Sequence, residues 1–252
     1  ENVSGLVKGV AKGHFKNILA SMRQLNYKVE ARLLNAAWLG VPQARERLFF
    51  IGVRSDLGLA PVFPKPWKFY YTLQDVMPWI NKVKLGGKPD SWRIASERPS
   101  PTITQSGATR YESANFDSGG WIETTDVIET PAPAILASNQ STAIDGYAIA
   151  KEWDRLKPGE TSKKYFNLTK PAFHKSIPTI TAIGGTSMGT ASIVHPTERR
   201  KFTIEELKLV SSFPADFNMI GTFAQQWERI GRAVPPLMAK AIAETIRDEI
   251  LC

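Results

Sequence analysis

The stretch that decides the fold is Gly40-Val41-Pro42-Gln43-Ala44-Arg45-Glu46-Arg47-Leu48-Phe49-Phe50-Ile51-Gly52-Val53-Arg54. It joins a turn containing glycine and proline to two closely spaced arginines, and these to the apolar run Leu48–Val53. A short, nearly continuous apolar run is typical of a strand buried on both faces, as in the parallel sheet of an α/β domain. Such strands commonly end at a functional crevice.

Polar side chains alternate at the start of this strand, at Gln43, Arg45 and Arg47. In an extended backbone, alternate residues point to the same side, so one amide and two guanidinium groups would converge on one surface. That surface suits an anion or a planar polar edge. The alternative is that these are arginines at the start of a strand, paired with Glu46 or with solvent.

The residues around this strand predict alternating helix and strand. Apolar residues recur every three or four positions between Lys12 and Leu25, which predicts a helix. Val29–Leu34 alternates as a strand does. This spacing indicates α/β winding.

From Pro61 the composition changes to proline, glycine and aromatic residues. We predict a second, irregular and β-rich domain over residues 61–194, with Thr72–Trp79 as its one short helix. Helices resume after His195.

Three helices are predicted in the last part of the chain. Thr203 and Glu206 form a capping box for a helix running to about Ser212. A further helical turn or two is predicted over Thr222–Ile230, and Pro235 and Pro236 suit the start of a final helix.

Composition places the chain among ordinary globular proteins. Its 252 residues are 42% hydrophobic and 22% charged. No apolar run approaches the roughly 18 residues of a membrane span, and the acidic start does not resemble a signal peptide. The single cysteine, Cys252, excludes an internal disulfide, so an intracellular setting is expected: cytoplasmic, or nucleoid-associated in a bacterium.

The net charge of +8 and the pI near 9.5 favour a polyanionic partner. Charge alone does not separate DNA from RNA or an acidic protein. The three histidines, His14, His174 and His195, are too scattered to predict a metal site. The pair Lys163-Lys164 is expected to face a nucleic-acid backbone or solvent.

Four short blocks resemble, in this order, the C-terminal blocks of the DNA (cytosine-5) methyltransferases. They are Glu1-Asn2-Val3, Gly40–Arg47, Ile177–Ala182 and Gly231–Pro236. His195–Thr203 and Ser212–Phe217 also resemble the family's approach to its final helix. The resemblance covers both ends of the chain and leaves about residues 61–176 weakly covered.

The resemblance implies an α/β fold with a partial Rossmann-like methyltransferase sheet, made of the later strands and the C-terminal helix. Residues 1–60 would be the C-terminal part of the catalytic domain. Residues 61–194 would be the target-recognition domain. Residues 195–252 would be a helical segment that returns to the catalytic domain.

The family, which this sequence resembles, adds a thiolate to carbon 6 of cytosine, transfers a methyl group from S-adenosylmethionine to carbon 5, and then eliminates. The base is first flipped out of double-stranded DNA. The resemblance makes Glu1 the donor to ring nitrogen N3, which requires a water-poor pocket that keeps the carboxyl protonated. It makes Arg47 the ligand of the cytosine O2, with Arg45 orienting its neighbours.

The resemblance also assigns the remaining site residues. The cofactor wall would comprise Asn2, Arg232, Ala233 and Val234, although the family usually carries asparagine where this chain has Arg232. Edges of the DNA bases would be read by polar side chains. These candidates are Gln43, Arg93, Arg98, Thr102, Thr104 and Arg110.

The family's nucleophilic cysteine follows a proline before the Glu-Asn-Val block, and Cys252 lacks that context. Together with an opening Glu1, this predicts a partner: a missing N-terminal catalytic half, from the same parent chain or a separate subunit. Alone, the chain is expected to be inactive. It would be a subunit of a split methyltransferase, an expressed or proteolytic fragment of a restriction-modification methyltransferase, or a degenerate relative acting as a non-catalytic, sequence-specific DNA-binding module.

Overall fold

A computed structural model describes residues 1–7, 9–80, 144, 147–166, 168–185 and 193–251. The described helices are α1 (Lys12–Gln24), α2 (Leu73–Val76), α3 (Tyr147–Arg155), α4 (Ile204–Val210), α5 (Phe223–Arg232) and α6 (Pro236–Ile246). The described strands are β1 (Tyr27–Asn35), β2 (Gln43–Ala44), β3 (Glu46–Arg54) and β4 (Ile177–Pro178). The architecture is therefore mixed α/β.

The chain divides into two compact units. Unit 1 contains Glu1–Tyr70 and Val234–Cys252, and unit 2 contains Tyr71–Ala233. The predicted C-terminal segment is thereby divided, because residues 195–233 lie in unit 2 and only the residues from Val234 onward lie with the N-terminal part.

Unit 1 is built on the pairing of β1 with β3. The two strands are antiparallel, with Tyr27 opposite Arg54 and Asn35 opposite Glu46. The parallel arrangement predicted for Leu48–Val53 is wrong at this pair. A parallel partner needs a crossover connection, usually a helix, whereas the short link between β1 and β3 contains only the single 3-10 turn Ala36–Leu39 and β2.

Both predicted strands and the first helix are present. The α1 helix lies against the sheet through Phe15, whose ring centroid is 5.6 Å from that of Phe50. Its Met22 reaches the backbone at Gly52, where a side chain would collide with the methionine methyl group. The absence of a side chain at Gly52 therefore leaves room for Met22 of the helix.

The core of unit 1 lies between β3 and the C-terminal helix. Ile51 and Val53 pack in one buried cluster with Phe63, Met238 and Ile242. The α6 helix begins with proline in its first turn, as predicted, and continues into a π-helical turn over Arg247–Leu251. Burial of one α6 face against β3 brings the two ends of the sequence into one core.

Unit 2 has its own core, to which helices and the segments between them both contribute. A buried cluster includes Leu73, Ile177, Phe202, Leu207 and Trp227. The predicted capping box of α4 is confirmed: Thr203 accepts from the Glu206 N–H, and the Glu206 carboxylate accepts from the Thr203 N–H.

The prediction of one short helix within 61–194 is wrong, because α3 follows α2 in this region. The sequence Tyr147–Arg155 interleaves apolar and charged residues at helical spacing, which is the signal that would have revealed it. Residues 81–143 of the predicted β-rich domain lie outside the described residues. Within the described part of the chain, no helix is long and apolar enough to span a membrane.

Candidate functional site

The N-terminal segment is fixed along one edge of β3. Asn2 and Leu48 exchange two backbone hydrogen bonds, each 2.8 Å long. This pairing places Glu1 beside Arg47, with Glu1 Oε2 3.7 Å from Arg47 Nε. The Glu1 side chain is 30% exposed and that of Arg47 only 11%. The acid and the arginine that the sequence placed on one base therefore do lie together.

A rigid turn delivers Gln43 and Arg45 to the same region. Asn35 caps the turn by accepting from the Ala37 N–H at 3.0 Å, and the Ala36 N–H donates to the Arg45 carbonyl at 2.9 Å. Gly40 ends the turn in the left-handed conformation, with φ of 84°. Only glycine adopts this without strain.

Measured over the whole residue, Gln43 and Arg45 are each only 1% exposed, and Arg47 is 9% exposed. The alternative of arginines directed to solvent is therefore not what the fold adopts. Arg47 donates to the Glu46 backbone carbonyl at 2.8 Å and keeps its Nε toward Glu1.

Burial and mutual repulsion act on both guanidinium groups. Burial, followed by the charge of Arg47, lowers the pKa of Arg45 to about 10, and Glu1 opposes this shift. Burial also lowers the pKa of Arg47 while Glu1 raises it. Both groups remain cationic at neutral pH, and their N–H groups are hydrogen-bond donors. The site favours an electron-rich ligand edge.

The predicted cofactor residues have contrasting surroundings. Asn2 is exposed, and its Oδ1 accepts from the Val3 N–H at 2.8 Å. The Arg232 side chain is 73% exposed and pairs with Glu228 at 2.6 Å, one turn earlier on α5. Ala233 and Val234 are partly buried, in the cores of units 2 and 1 respectively.

Five predicted DNA-reading residues lie outside the described residues. These are Arg93, Arg98, Thr102, Thr104 and Arg110. Gln43 is described and is buried beside the arginines. Among the described residues, no group of three or more His, Cys, Asp or Glu side chains could hold a metal ion.

Two of the quoted sequence blocks meet inside unit 2. A Cβ on Gly231 would lie 2.6 Å from the backbone of Ala182, so α5 packs directly on that segment. Trp227, one turn earlier, donates from Nε1 to the Thr181 carbonyl at 2.9 Å. The glycine is thus required by close packing of the helix.

Sequence reasoning missed a buried polar network around His195. Its Nδ1 accepts from the Glu198 N–H at 3.1 Å, and its Nε2 lies 3.7 Å from Glu206. Glu206 is held by two hydrogen bonds of 2.7 Å from Arg200. Burial, then the charge of Arg200, lowers the His195 pKa to about 3. The block His195–Thr203 resembles a family block, but residue type and spacing do not show which of its side chains hydrogen-bond to one another in the fold.

Comparisons with known proteins show which proteins this chain is similar to. The family model described as C-5 cytosine-specific DNA methylase matches residues 1–248. Type II methyltransferase M.DdeI of Desulfomicrobium norvegicum is 27% identical over 266 residues, which cover 98% of this chain and 61% of that protein. Type II methyltransferase M1.HphI of Haemophilus parahaemolyticus is 29% identical over 247 residues, covering 98% and 55%.

A solved structure has a similar fold. It is described as a DNA modification methyltransferase encoded within an E. coli prophage, and the match has a TM-score of 0.62 at 23% identity. That match covers 100% of this chain and 68% of the other. The chain therefore has a methyltransferase-like fold, and it spans a little over half the length of the two relatives named above.

Proposed function

Because the chain belongs to the C-5 cytosine-specific DNA methylase family, we propose that it forms part of an enzyme that methylates cytosine C5 in duplex DNA. In this proposal the chain supplies base activation and target recognition. The methyl group comes from S-adenosylmethionine, and the nucleophilic thiolate comes from residues outside this chain. The observation that carries the proposal is the juxtaposition of Glu1 with Arg47.

The pair offers complementary contacts to one edge of a cytosine. Attack at carbon 6 pushes negative charge toward N3 and O2, so groups that stabilise charge there lower the barrier. In its protonated form, the Glu1 carboxyl would donate to N3. Arg47 would donate to O2, and its guanidinium stays charged throughout. A flipped base would then separate the two side chains, which lie 3.7 Å apart without it.

Arg45 and Gln43 would act behind this pair. Both are almost fully buried, so their positions are set by packing before any ligand enters. The second cation raises the positive potential felt by O2. We assign Arg45 a positioning role and Gln43 a contact near the base.

The residues assigned to S-adenosylmethionine carry chemical groups that suit that molecule. Arg232 is an exposed cation whose pairing with exposed Glu228 is weak enough to be exchanged for a carboxylate. Asn2 offers an exposed amide, whereas Ala233 and Val234 offer apolar surface. When bound, the cofactor supplies the electrophilic methyl group. This chain's residues would hold its polar end.

Target recognition is proposed for the region 61–194, with Arg93, Arg98, Thr102, Thr104 and Arg110 as base or phosphate contacts. The region containing Glu1 and β3 would complete a Rossmann-like sheet begun by an N-terminal catalytic half. That partner would carry the proline-cysteine block.

The test is complementation. This chain would be mixed with a polypeptide carrying the proline-cysteine block of the same enzyme, and transfer of labelled methyl groups to duplex DNA would be measured. We expect 5-methylcytosine only when both pieces are present. Inactivity at concentrations where the complex forms would contradict the proposal and favour a non-catalytic DNA-binding module.

A further inference from the structure

The turn Ser162–Phe166 in unit 2 is fixed by a buried hydroxyl. Ser162 is 8% exposed, and its Oγ accepts from the N–H groups of Lys164 and Tyr165, both at 3.0 Å. The same hydroxyl donates to Glu152 Oε1 at 2.5 Å. Each of these bonds removes conformational freedom from the turn.

The turn is also anchored at its base. Glu152, on α3, is 7% exposed and is held in turn by Arg155 at 2.7 and 3.0 Å. The backbone N–H of Ser162 donates to the Leu168 carbonyl at 2.8 Å, and that of Leu168 to the Tyr165 carbonyl at 3.2 Å. The turn therefore has a defined shape joined to a helix.

This rigid turn presents two cations and one bare aromatic ring. Lys163 and Lys164 are exposed, with Lys164 Nζ 5.5 Å from the centroid of the Tyr165 ring. Phe166 is 79% exposed, more than any other large hydrophobic side chain among the described residues. The fixed turn therefore presents a phenyl ring to solvent next to two lysines in the sequence.

We propose that the turn Ser162–Phe166 contacts duplex DNA, with Lys163 and Lys164 on phosphates and Phe166 against sugar or base edges. The chain's net charge of +8 gives the matching sign for DNA, and a turn of this size can enter a groove edge-on. The inference deepens the proposed function and depends on it. It names the part of unit 2 that meets the substrate.

Lysine–phosphate contacts weaken as salt concentration rises, whereas contacts of the Phe166 ring do not, and this difference provides the test. Binding of the full chain to a fluorescent DNA duplex would be measured against salt concentration. Log affinity falls with log salt, and the double variant Lys163→Ala/Lys164→Ala should make this fall less steep. The magnitude of the slope should decrease by about 1.8, since each phosphate contact contributes about 0.9. Phe166→Ala should weaken affinity about tenfold at one salt concentration while leaving the slope unchanged.

Matched controls separate local contact from overall charge and exposure. Lys12→Ala/Lys16→Ala removes the same charge from the exposed face of α1, and Ile220→Ala truncates a 74% exposed side chain in unit 2. Both should leave slope and affinity near wild type. Ser162→Ala, which keeps both lysines and the ring, should weaken binding by releasing the turn.

If wild type binds and the turn variants bind equally well with equal slopes, the turn assignment alone is overturned. If the wild-type chain binds no duplex at any salt concentration, the DNA-directed proposed function fails and the turn assignment fails with it. An equal loss for both double-lysine variants would also overturn it, because the effect would then be total charge.

Discussion

Glu1 Oε2 lies 3.7 Å from Arg47 Nε because the backbones of Asn2 and Leu48 hold their segments together. The ion pair is therefore a product of strand pairing. It does not have to stabilise the fold itself, since a partly exposed pair contributes little. The Glu1 carboxylate and the Arg47 guanidinium can therefore give up their ion pair and bind a ligand without unfolding the chain.

Replacing Glu1 with glutamine should separate function from folding. The amide keeps the shape but cannot transfer a proton, so methyl transfer by the enzyme containing this chain should fall by about 10²–10⁴-fold. Thermal stability should change little. Glu30→Gln is the control, because Glu30 also forms an ion pair with an arginine, Arg32 at 3.3 Å on β1, but an exposed one away from Glu1 and Arg47. Equal activity of Glu1→Gln and wild type would remove Glu1 from the mechanism.

Gly40 should be required to place the arginines. Alanine there would adopt φ near 84° and put its Cβ 2.6 Å from the Trp67 ring. We expect a loss of about 2–4 kcal/mol in urea unfolding, from backbone strain and overpacking together. Gly58→Ala isolates the strain, since Gly58 has φ of 71° but no neighbour within 4 Å of a Cβ. Its cost should be about 1 kcal/mol; equal losses would argue against the Trp67 clash.

Alanine substitution at two helical glycines should change the free energy of unfolding in opposite directions. Gly231→Ala would drive a methyl group into the Ala182 backbone at 2.6 Å, which should cost about 1–3 kcal/mol. Gly13 in α1 has no atom within 4 Å of its Cβ position, so Gly13→Ala should stabilise by up to ~1 kcal/mol through helix propensity. Unfolding midpoints measure both. A stabilised Gly231→Ala variant would contradict the close packing of α5.

Stability should fall in mild acid because His195 must stay neutral. Its pKa is lowered from 6.5 to about 3, so the folded state resists a proton that the unfolded state accepts. The stability due to neutral His195 is full above pH 6.5 and is lost as pH falls toward 3. Each pH unit in this window costs up to about 1.4 kcal/mol.

The control for this prediction is His195→Asn, whose amide oxygen can still accept from the Glu198 N–H. This variant should be less stable at pH 7, because contact with the Phe202 ring is reduced. Its stability should depend less on pH between 6 and 4 than that of wild type. Identical pH profiles would mean that His195 does not titrate as described.

The starts and positions of several helices could be predicted from the sequence, because they depend on residues close together in the chain. The α1 helix follows from apolar spacing, the α4 start from the Thr203–Glu206 capping box, and the α6 start from adjacent prolines. The direction of β3 was not readable in the same way. Its apolar run fits either strand direction, and only the short link to β1 decided for antiparallel pairing.

By itself, the sequence determined the family, the buried strand and the identity of the acid and arginines. These depend on residue type and spacing, which are fixed along the chain. The family resemblance already predicted that Glu1 and Arg47 face one base, and the strand pairing of Asn2 with Leu48 is what brings them together. Tertiary structure alone decided that Gly231 rests on Ala182 and that His195 lies near Glu206. Such pairings join residues far apart in sequence, and they form only when burial of the shared cores outweighs the entropy of closing the intervening loops.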